Sequence, residues 1–245
     1  MLKIFLSGAT GAMGKTIIDI TKNDSEFKVV SGFGKEYDDK DIKIYKDFKN
    51  IEEDFDVIID FSTPIILDRL LKFAKEKNKP LVLATTGFDR EDMNKIEEFS
   101  KYIPILQTGN TSLGIHAIKK ATKILTQILF DFDVEIVEAH HNKKKDSPSG
   151  TAKMLLESVK EIHGDYNEVL KKDSNYIRDK KDIGVYSLRG GTIVGEHSVV
   201  FAGIDEVIEI KHKALSKKIF AKGALNAGKK LLKMENGLYK MDDIF

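Results

Sequence analysis

The sequence contains no cysteine or tryptophan and little proline or arginine. Its 245 residues include 4 prolines, and lysine and arginine together number 40. Without cysteine there can be no disulfide, no thiolate metal site and no cysteine nucleophile. The only arginines are Arg69, Arg90, Arg178 and Arg189, so lysine must make most anion contacts without the bidentate geometry of a guanidinium.

An excess of charge of one sign is also lacking, because 39 acidic residues leave a formal charge of +1. Proteins that hold a nucleic-acid backbone normally carry a clear basic excess, so we expect no nucleic-acid partner. The apolar run at residues 1–6 is too short for a signal-peptide core, and no later run approaches the roughly 18 residues of a membrane span. We therefore expect a cytoplasmic globular protein with no membrane partner.

The first hundred residues alternate short β-rich runs with helical patterns. Between the runs, apolar residues recur at helical spacing, and Pro64 suits the first turn of one helix. This alternation is typical of βαβ units on a parallel sheet. The predicted strands are 2–6, 28–33, 56–61, 80–85 and 103–108.

From about residue 112 the pattern changes. A helix through Leu125 is followed by a strand at 133–139, a helix at 152–162 and a polar stretch at 163–182 that predicts no regular structure. Strand patterns return at 184–188, 193–202 and 207–214, and a final helix at 219–233 repeats small residues. The predicted fold class is α/β: a Rossmann-like dinucleotide-binding domain, then, from near residue 110, an α+β domain with a mixed, largely open sheet.

A glycine-rich turn directly follows the first predicted strand and opens the first helix. Its G-x-x-G-x-x-G spacing lets backbone approach a pyrophosphate and directs helix N-terminal N–H groups at it. A tight turn without a ligand is the alternative, but this position in an α/β chain favours a dinucleotide site. The predicted cofactor contacts are Gly8, Ala9, Thr10, Gly11, Ala12, Met13 and Gly14.

The end of the second predicted strand bears on the choice of cofactor. In such folds an acidic residue there binds the adenosine ribose, whereas a basic residue accommodates a 2′-phosphate. Here the strand ends Phe33-Gly34-Lys35-Glu36, with Gly34 at the place of the carboxylate and Lys35 beside it. We expect NADPH to be accepted at least as well as NADH; the alternative is a Lys35 that is merely solvated.

Residues 138–152 concentrate titratable and anion-binding groups between a strand and a helix. Adjacent histidines on an extended chain point to opposite sides and no third ligand lies nearby, so we expect no metal. A solvated loop is the competing interpretation. Against it, Ser149, Gly150 and Thr151 precede an amphipathic helix whose free N–H groups could bind an anion. The pattern favours carboxylate recognition with a histidine as proton donor.

Together these motifs resemble the 4-hydroxy-tetrahydrodipicolinate reductase (dihydrodipicolinate reductase) family over nearly the whole chain. The most specific is the string E-A-H-H-x-x-K-x-D-x-P-S-G-T-A from Glu138 to Ala152. The other motifs are the glycine turn, 59–62, 84–88, 110–114, 189–191, 195–197, Phe201, His212 and 220–224.

The resemblance implies reduction of a small cyclic dicarboxylate by NADPH or NADH, with His140 and Lys144 as proton-transfer groups. It implies a dinucleotide-binding domain of residues 1–111 plus a C-terminal helix of about 217–245, and a substrate-binding and oligomerisation domain of residues 112–216. It further implies a homotetramer joined through the second domain's sheet. The implied substrate contacts are His141, Ser149, Gly150 and Thr151; further cofactor contacts are Lys35, Ala84, Thr85, Thr86, Thr108, Gly109, Asn110 and Thr111.

Three positions depart from the family pattern: Gly34 lacks the ribose-binding carboxylate, Thr111 replaces an aromatic residue, and Lys217 replaces an arginine. Two other functions remain open, a reductase of another cyclic imine dicarboxylate and a non-catalytic dinucleotide-sensing regulator. The joint presence of the His-His-Lys and Ser-Gly-Thr groups argues against the regulator.

Some polar residues have expected roles outside the chemistry. We expect His197 and His212, on predicted strands, to be core or interface residues. Asp60, Asp146 and Arg189 are expected to orient loops.

Overall fold

Two β-sheets organise the chain, and the computed structural model describes them over residues 1–35, 42–170 and 175–245. Short 3₁₀ turns at Phe48–Asn50 and Pro64–Ile66 precede the fourth strand and the second helix. In chain order the elements are β1 (Leu2–Ser7), α1 (Ala12–Thr21), β2 (Phe27–Phe33), β3 (Lys43–Tyr45), β4 (Val57–Asp60), α2 (Leu67–Lys77), β5 (Leu81–Leu83), α3 (Arg90–Ser100), β6 (Pro104–Gln107), α4 (Leu113–Ile128), β7 (Asp133–His140), α5 (Gly150–His163), β8 (Asn167–Val169), β9 (Asp182–Arg189), β10 (Gly195–Ala202), β11 (Val207–Ala214), α6 (Lys218–Leu231), β12 (Gly237–Tyr239) and α7 (Met241–Ile244).

The chain divides into two compact units. The first comprises Met1–Ser112 with Lys217–Phe245, and the second comprises Leu113–Ser216. The second unit is therefore inserted into the sequence of the first.

The first unit is built on a seven-stranded sheet of order β12-β6-β5-β4-β1-β2-β3 in which every pairing is parallel. Parallel sheets need helices on both faces, and two separate apolar cores lie here. One includes Ile17 of α1 and Leu225 of α6, and the other includes Leu70 of α2 and Ile96 of α3. The predicted Rossmann-like domain is confirmed.

The end of the chain differs from the single C-terminal helix of about 217–245 that the family resemblance implied. Helix α6 ends at Leu231, and the chain then forms β12, which pairs in parallel with β6, and the short helix α7. Asn236 and Gly237, just before and at the start of β12, disfavour a helix that would continue to residue 245. Met241 and Ile244 of α7 are buried in the core that contains α6.

The second unit is built on a five-stranded sheet of order β11-β10-β7-β9-β8. It is mixed, because β10 pairs antiparallel with β7 and β11 while β9 pairs parallel with β7 and β8. Helices α4 and α5 supply the apolar core on one face. Other side chains of the same strands are not covered: Val137, Leu188 and Val207 are exposed, and the exposed fraction of Leu188 is 53%. The predicted mixed, open sheet is confirmed, whereas β8 lies in a stretch predicted to be irregular.

Small residues let helix α6 approach neighbouring backbone closely. A Cβ atom added to Gly223 would lie 1.7 Å from the carbonyl oxygen of Thr111. At Gly228, one and a half turns later, an added Cβ would lie 3.4 Å from the Val57 side chain, an ordinary van der Waals distance. The two glycines of this helix therefore have different reasons to be small.

We expect Gly223→Ala and Gly228→Ala to change stability in opposite directions. The first must displace backbone and should cost about 2 kcal/mol or more. The second fits its space and should gain up to about 1 kcal/mol from the higher helix propensity of alanine. Urea unfolding of both variants beside the wild type measures this, and equal effects would contradict the packing described for α6.

Candidate active site

The glycine turn after β1 has the geometry of a phosphate cradle. Gly8 adopts φ = 80°, and an added Cβ would lie 2.4 Å from the carbonyl oxygen of Phe61. A Cβ at Gly14 would lie 2.3 Å from the carbonyl oxygen of Gly8, so both positions require glycine. Helix α1 begins beyond Gly11, and no side chain of the described residues caps its first N–H groups. These groups are free to bind a pyrophosphate, so the turn fits the dinucleotide that the sequence predicts.

The end of β2 lies against this turn. The backbone N–H of Lys35 donates to Thr10 Oγ1 at 3.2 Å, and the Lys35 side chain is exposed. A side chain at Gly34 would meet the Thr10 side chain at 2.9 Å, so a ribose-binding carboxylate would fit here only if Thr10 moved. Glu36, next in sequence, lies outside the described residues.

The other candidate cofactor residues follow β5 and β6 at the same, carboxyl edge of the sheet. The N–H of Ala84 donates to the carbonyl of Asp60 at 3.0 Å, and the N–H of Thr108 donates to that of Leu83 at 3.1 Å. Thr86 and Gly109 are exposed, and Asn110 is half-buried. Ligands of open parallel sheets bind at this edge, so the structure gathers these candidates where a cofactor would lie.

Thr111 differs from the other residues of its loop. It is 2% exposed, and its hydroxyl donates to the carbonyl oxygen of Phe220 at 2.7 Å. Its side chain is therefore committed to α6 and does not face a ligand at the sheet edge.

In the second unit, residues of the His-His-Lys segment form hydrogen bonds to one buried carboxylate. Glu138 is fully buried and accepts hydrogen bonds from His140 Nδ1 at 2.6 Å, Ser187 Oγ at 2.8 Å and the N–H of Ser149 at 3.1 Å. Arg189 donates to both carboxylate oxygens, at 2.8 and 2.7 Å. We call these five residues the Glu138 cluster.

Strand register explains the Glu138 cluster. Glu138 and His140 are two residues apart on β7 and so share a face, and on β9 they pair with Ser187 and Arg189. Burial alone would raise the pKa of Glu138, but the hydrogen bonds from Arg189, Ser187 and His140 outweigh it and lower the pKa to about 2. Glu138 is therefore a carboxylate at any physiological pH.

The imidazole of His140 contacts the Glu138 carboxylate through Nδ1, and its Nε2 faces Gly195. Its Nε2 lies 3.0 Å from the position a Cβ would take on Gly195, so a larger residue there would press on the ring. Burial lowers the pKa of His140, as do the charges of Lys144 and Arg189, against the opposing effect of Glu138. The net pKa lies below the ordinary 6.5, so the ring is mainly neutral at pH 7.

Lys144 and the start of α5 complete the cluster's surroundings. Lys144 Nζ lies 2.8 Å from Asp146 Oδ1, and Arg189 donates to the Asp146 carbonyl at 2.7 Å. Ser149 caps α5 by accepting from the N–H of Ala152 at 3.2 Å. Arg189 thus orients the loop as expected, and it also neutralises Glu138.

The remaining substrate candidates surround the start of α5. Gly150 and Thr151 are its first two residues, and His141 is half-buried just beyond the end of β7. Apart from its chain neighbours and its own helix, a Cβ added to Gly150 would meet no described residue within 4 Å, which leaves open space at the helix N-terminus.

His197 of β10 also contacts the Glu138 cluster, beside the start of α5. It is 4% exposed, its Nε2 lies 2.9 Å from Ser149 Oγ, and its ring meets that of His140 edge-on at 5.1 Å. Burial, assisted by the nearby His140, lowers its pKa to about 4. His197 is therefore a neutral core residue that holds the helix cap, in line with its expected structural role.

Sequence reasoning missed the role of Glu138 and the close approach of the His140 ring to Gly195. A signal for Glu138 was present, because a carboxylate two residues before a histidine on a strand lies on the same face.

Among residues 1–35, 42–170 and 175–245 no group of three or more His, Asp or Glu side chains could hold a metal ion. No helix in those ranges is long and apolar enough to cross a membrane.

The depressed pKa of His197 predicts a specific loss of stability in acid. The unfolded chain binds this proton near 6.5 and the folded chain only near 4, so the stabilisation is complete above about 6.5 and is lost as the pH falls towards 4. The difference corresponds to about 3 kcal/mol. Urea unfolding at pH 7 and pH 4 should show a loss smaller by about that amount in His197→Gln than in the wild type; equal losses would contradict it.

Comparison with known proteins agrees with this arrangement. The family model described as dihydrodipicolinate reductase, N-terminus, matches residues 2–111, and the one described as dihydrodipicolinate reductase, C-terminus, matches residues 113–245. Proteins named 4-hydroxy-tetrahydrodipicolinate reductase from Clostridium novyi (strain NT) and Caldanaerobacter subterraneus subsp. tengcongensis are 44% and 42% identical over 250 and 253 residues, covering 100% of this chain and 98% of each relative.

A solved structure shares the fold. It is the dipicolinate-bound dihydrodipicolinate reductase from Paenisporosarcina sp. TG-14, which aligns over 100% of both chains with a TM-score of 0.84 at 18% identity. On the family models and the full-length relatives, the chain belongs to the dihydrodipicolinate reductase family.

Proposed function

We propose that the protein reduces 4-hydroxy-tetrahydrodipicolinate, through dihydrodipicolinate, to tetrahydrodipicolinate with NADPH or NADH, as a cytoplasmic step of lysine and diaminopimelate biosynthesis. Relatives that carry this activity in their names cover the whole chain. The observation that carries the proposal is the pairing of His140 Nδ1 with the buried carboxylate of Glu138. This pairing leaves Nε2 of His140 as the nitrogen that can exchange a proton.

The cofactor would lie along the carboxyl edge of the seven-stranded sheet. The N–H groups at the start of α1 would bind its pyrophosphate, and the turns that contain Ala84, Thr85, Thr86, Thr108, Gly109 and Asn110 would surround the rest. When bound, a nicotinamide dinucleotide supplies the hydride. Lys35, exposed beside Thr10, offers a cation to a 2′-phosphate, which supports acceptance of NADPH.

His140 is suited to hold and deliver the proton. Reduction of a conjugated imine leaves negative charge on the far carbon, which a cationic acid stabilises and then protonates. With Nδ1 donating to Glu138, the added proton sits on Nε2. A bound dicarboxylate brings negative charge that favours the protonated ring, so substrate binding itself would raise the pKa of His140. Lys144, whose ammonium is held by Asp146, is the second proton donor.

The start of α5 is suited to hold the substrate's carboxylates. The N–H groups of Gly150 and Thr151 are in the first turn, where a helix favours anions. Ser149 is fixed between Glu138 and His197, so the first turn keeps its position when an anion binds. His141 adds a further donor, and together these contacts would fix the ring for reaction.

We propose in addition that four copies assemble through the open face of the five-stranded sheet. The support is the exposed aliphatic side chains of Val137, Leu188 and Val207 on these strands. Light scattering of the purified protein should give the mass of a tetramer, and a monomer mass at micromolar concentration would contradict this.

The reaction and the cofactor preference can be tested together. The substrate is generated in place from pyruvate and aspartate semialdehyde by a coupling enzyme, and oxidation of NADPH and of NADH is followed separately. We expect oxidation of both, and in Lys35→Ala a KM for NADPH raised several-fold with the KM for NADH nearly unchanged. No oxidation with either cofactor would overturn the reductase assignment in favour of a regulator, and an unchanged KM for NADPH would remove Lys35 from the site.

The proton-transfer roles predict large losses of turnover with the fold intact. His140→Gln and Lys144→Ala should each lower kcat at least about a hundredfold, as expected for loss of a positioned acid. Lys153→Ala, an exposed lysine on α5, is the matched control and should be near wild type.

The pH profile separates loss of the acid from a general defect. Because the acid must be protonated, wild-type kcat/KM should fall above a pKa that lies below 6.5, and His140→Gln should lose this dependence. Near-wild-type turnover in both His140→Gln and Lys144→Ala would reject the assignment.

A further inference from the structure

A second buried carboxylate, Asp60, lies at the carboxyl end of β4 in the first unit. It is 1% exposed and accepts hydrogen bonds from Ser62 Oγ at 2.5 Å and Thr85 Oγ1 at 2.6 Å. Thr85 Oγ1 in turn accepts from the N–H of Ser62 at 2.9 Å. Asp60 thus ties the loop after β4 to the loop after β5.

This arrangement determines which way the two hydroxyl protons point. A serine or threonine hydroxyl has one proton to donate, and both protons are directed at Asp60. The oxygen atoms consequently offer only lone pairs to any other group. Thr85 is buried, whereas Ser62 is partly exposed, so Ser62 Oγ is an acceptor accessible to a ligand.

The same loop also contacts the glycine turn. A Cβ added to Gly8 would lie 2.4 Å from the Phe61 carbonyl oxygen and 3.0 Å from the Ser62 nitrogen, so the backbone of this loop packs directly against Gly8. A displacement of the Ser62 backbone would therefore also displace the turn that is expected to hold the pyrophosphate.

Burial raises the pKa of Asp60, and the hydrogen bonds from Ser62 and Thr85 oppose this rise. In the described part of the chain, no basic side chain is among the groups that act most strongly on this pKa. The hydroxyls favour the ionised form of Asp60, but burial outweighs them, so the net pKa is raised.

Strand order indicates which part of a dinucleotide this acceptor would face. Strands β2 and β3 lie on one side of β1, and β4, β5 and β6 lie on the other. In such sheets the adenosine ribose lies by the end of β2, so the other half of the molecule extends over β4 and β5.

We propose that Asp60 is a positioning residue that orients Ser62 Oγ as a hydrogen-bond acceptor for a donor on the nicotinamide riboside half of the cofactor. The inference rests on the proposed reductase function. It assigns Ser62 to direct contact and Asp60 to action through Ser62 and Thr85.

Binding measurements without substrate test this. NADPH fluorescence gives the Kd of the reduced cofactor, and calorimetry gives the Kd of ADP, a probe that lacks the nicotinamide riboside half. Ser62→Ala should weaken NADPH about five- to tenfold, the effect of one lost hydrogen bond, and leave ADP within twofold. Asp60→Asn should do the same, because its amide would donate to one hydroxyl oxygen and free that hydroxyl's proton.

The matched control is Asp56→Asn, just before the start of the same strand, where the carboxylate accepts from the N–H of Lys3. It should bind NADPH and ADP as the wild type does. The reduced 3-acetylpyridine analogue, which lacks the amide, identifies the donor: a retained Ser62→Ala effect indicates a ribose hydroxyl, and a lost effect indicates the carboxamide.

The outcomes separate this inference from the function on which it rests. Unchanged NADPH affinity in Ser62→Ala, or equal weakening of NADPH and ADP in both variants, would overturn the proposal while leaving the reductase assignment intact. Failure of the wild type to bind NADPH or NADH would overturn both. Should Asp60→Asn fold poorly by thermal unfolding, Ser62→Ala, which keeps the carboxylate, decides alone.

Discussion

The second unit depends on the charge of one buried carboxylate. Glu138 receives donors from its own strand, from β9 and from the start of α5, so a single group fixes the orientation of three elements. Arg189 is the cation that makes this burial tolerable, since an unpaired buried charge is strongly unfavourable. The tautomer of His140, the position of the helix start and the course of the loop at Asp146 all follow from that ion pair.

Two buried carboxylates, Glu138 and Asp60, show how neighbours determine the outcome of burial. Glu138 has an arginine against both oxygens, and its pKa is lowered to about 2. Among the described residues, the donors that Asp60 receives are hydroxyl and backbone groups, and burial raises its pKa. Both lie at or near the end of a strand, and in both cases short polar side chains are turned inward to reach them. In each unit a buried carboxylate therefore fixes the orientation of neighbouring polar side chains.

The sequence predicted the long elements because apolar periodicity needs several residues to be visible. The strands that escaped prediction, β3, β8 and β12, are each three residues long, and each lies at a sheet edge. Their positions depend on pairing with β2, β9 and β6, which no local pattern encodes.

The candidate site was predictable to the same extent. The His-His-Lys string and the glycine turn identify the segments, and the chain does place the turn, Ala84 and Thr108 at one sheet edge. The partnership of Glu138 with Arg189 spans 51 residues and exists only through the register of β7 and β9. Thr111 similarly turns away from its loop because of a carbonyl 109 residues distant.

The insertion of one unit into the other constrains the order in which the protein can be completed during synthesis. Strand β12 and helix α6 belong to the seven-stranded unit, yet residues 113–216 are translated before them. The second unit, which is continuous in sequence, can therefore finish folding before the first. This reverses the usual order, in which the more N-terminal domain folds first. Until residues 217–245 emerge, β6 is an edge strand and the core that α6 covers is open, so the nascent chain exposes an unpaired strand edge and apolar surface.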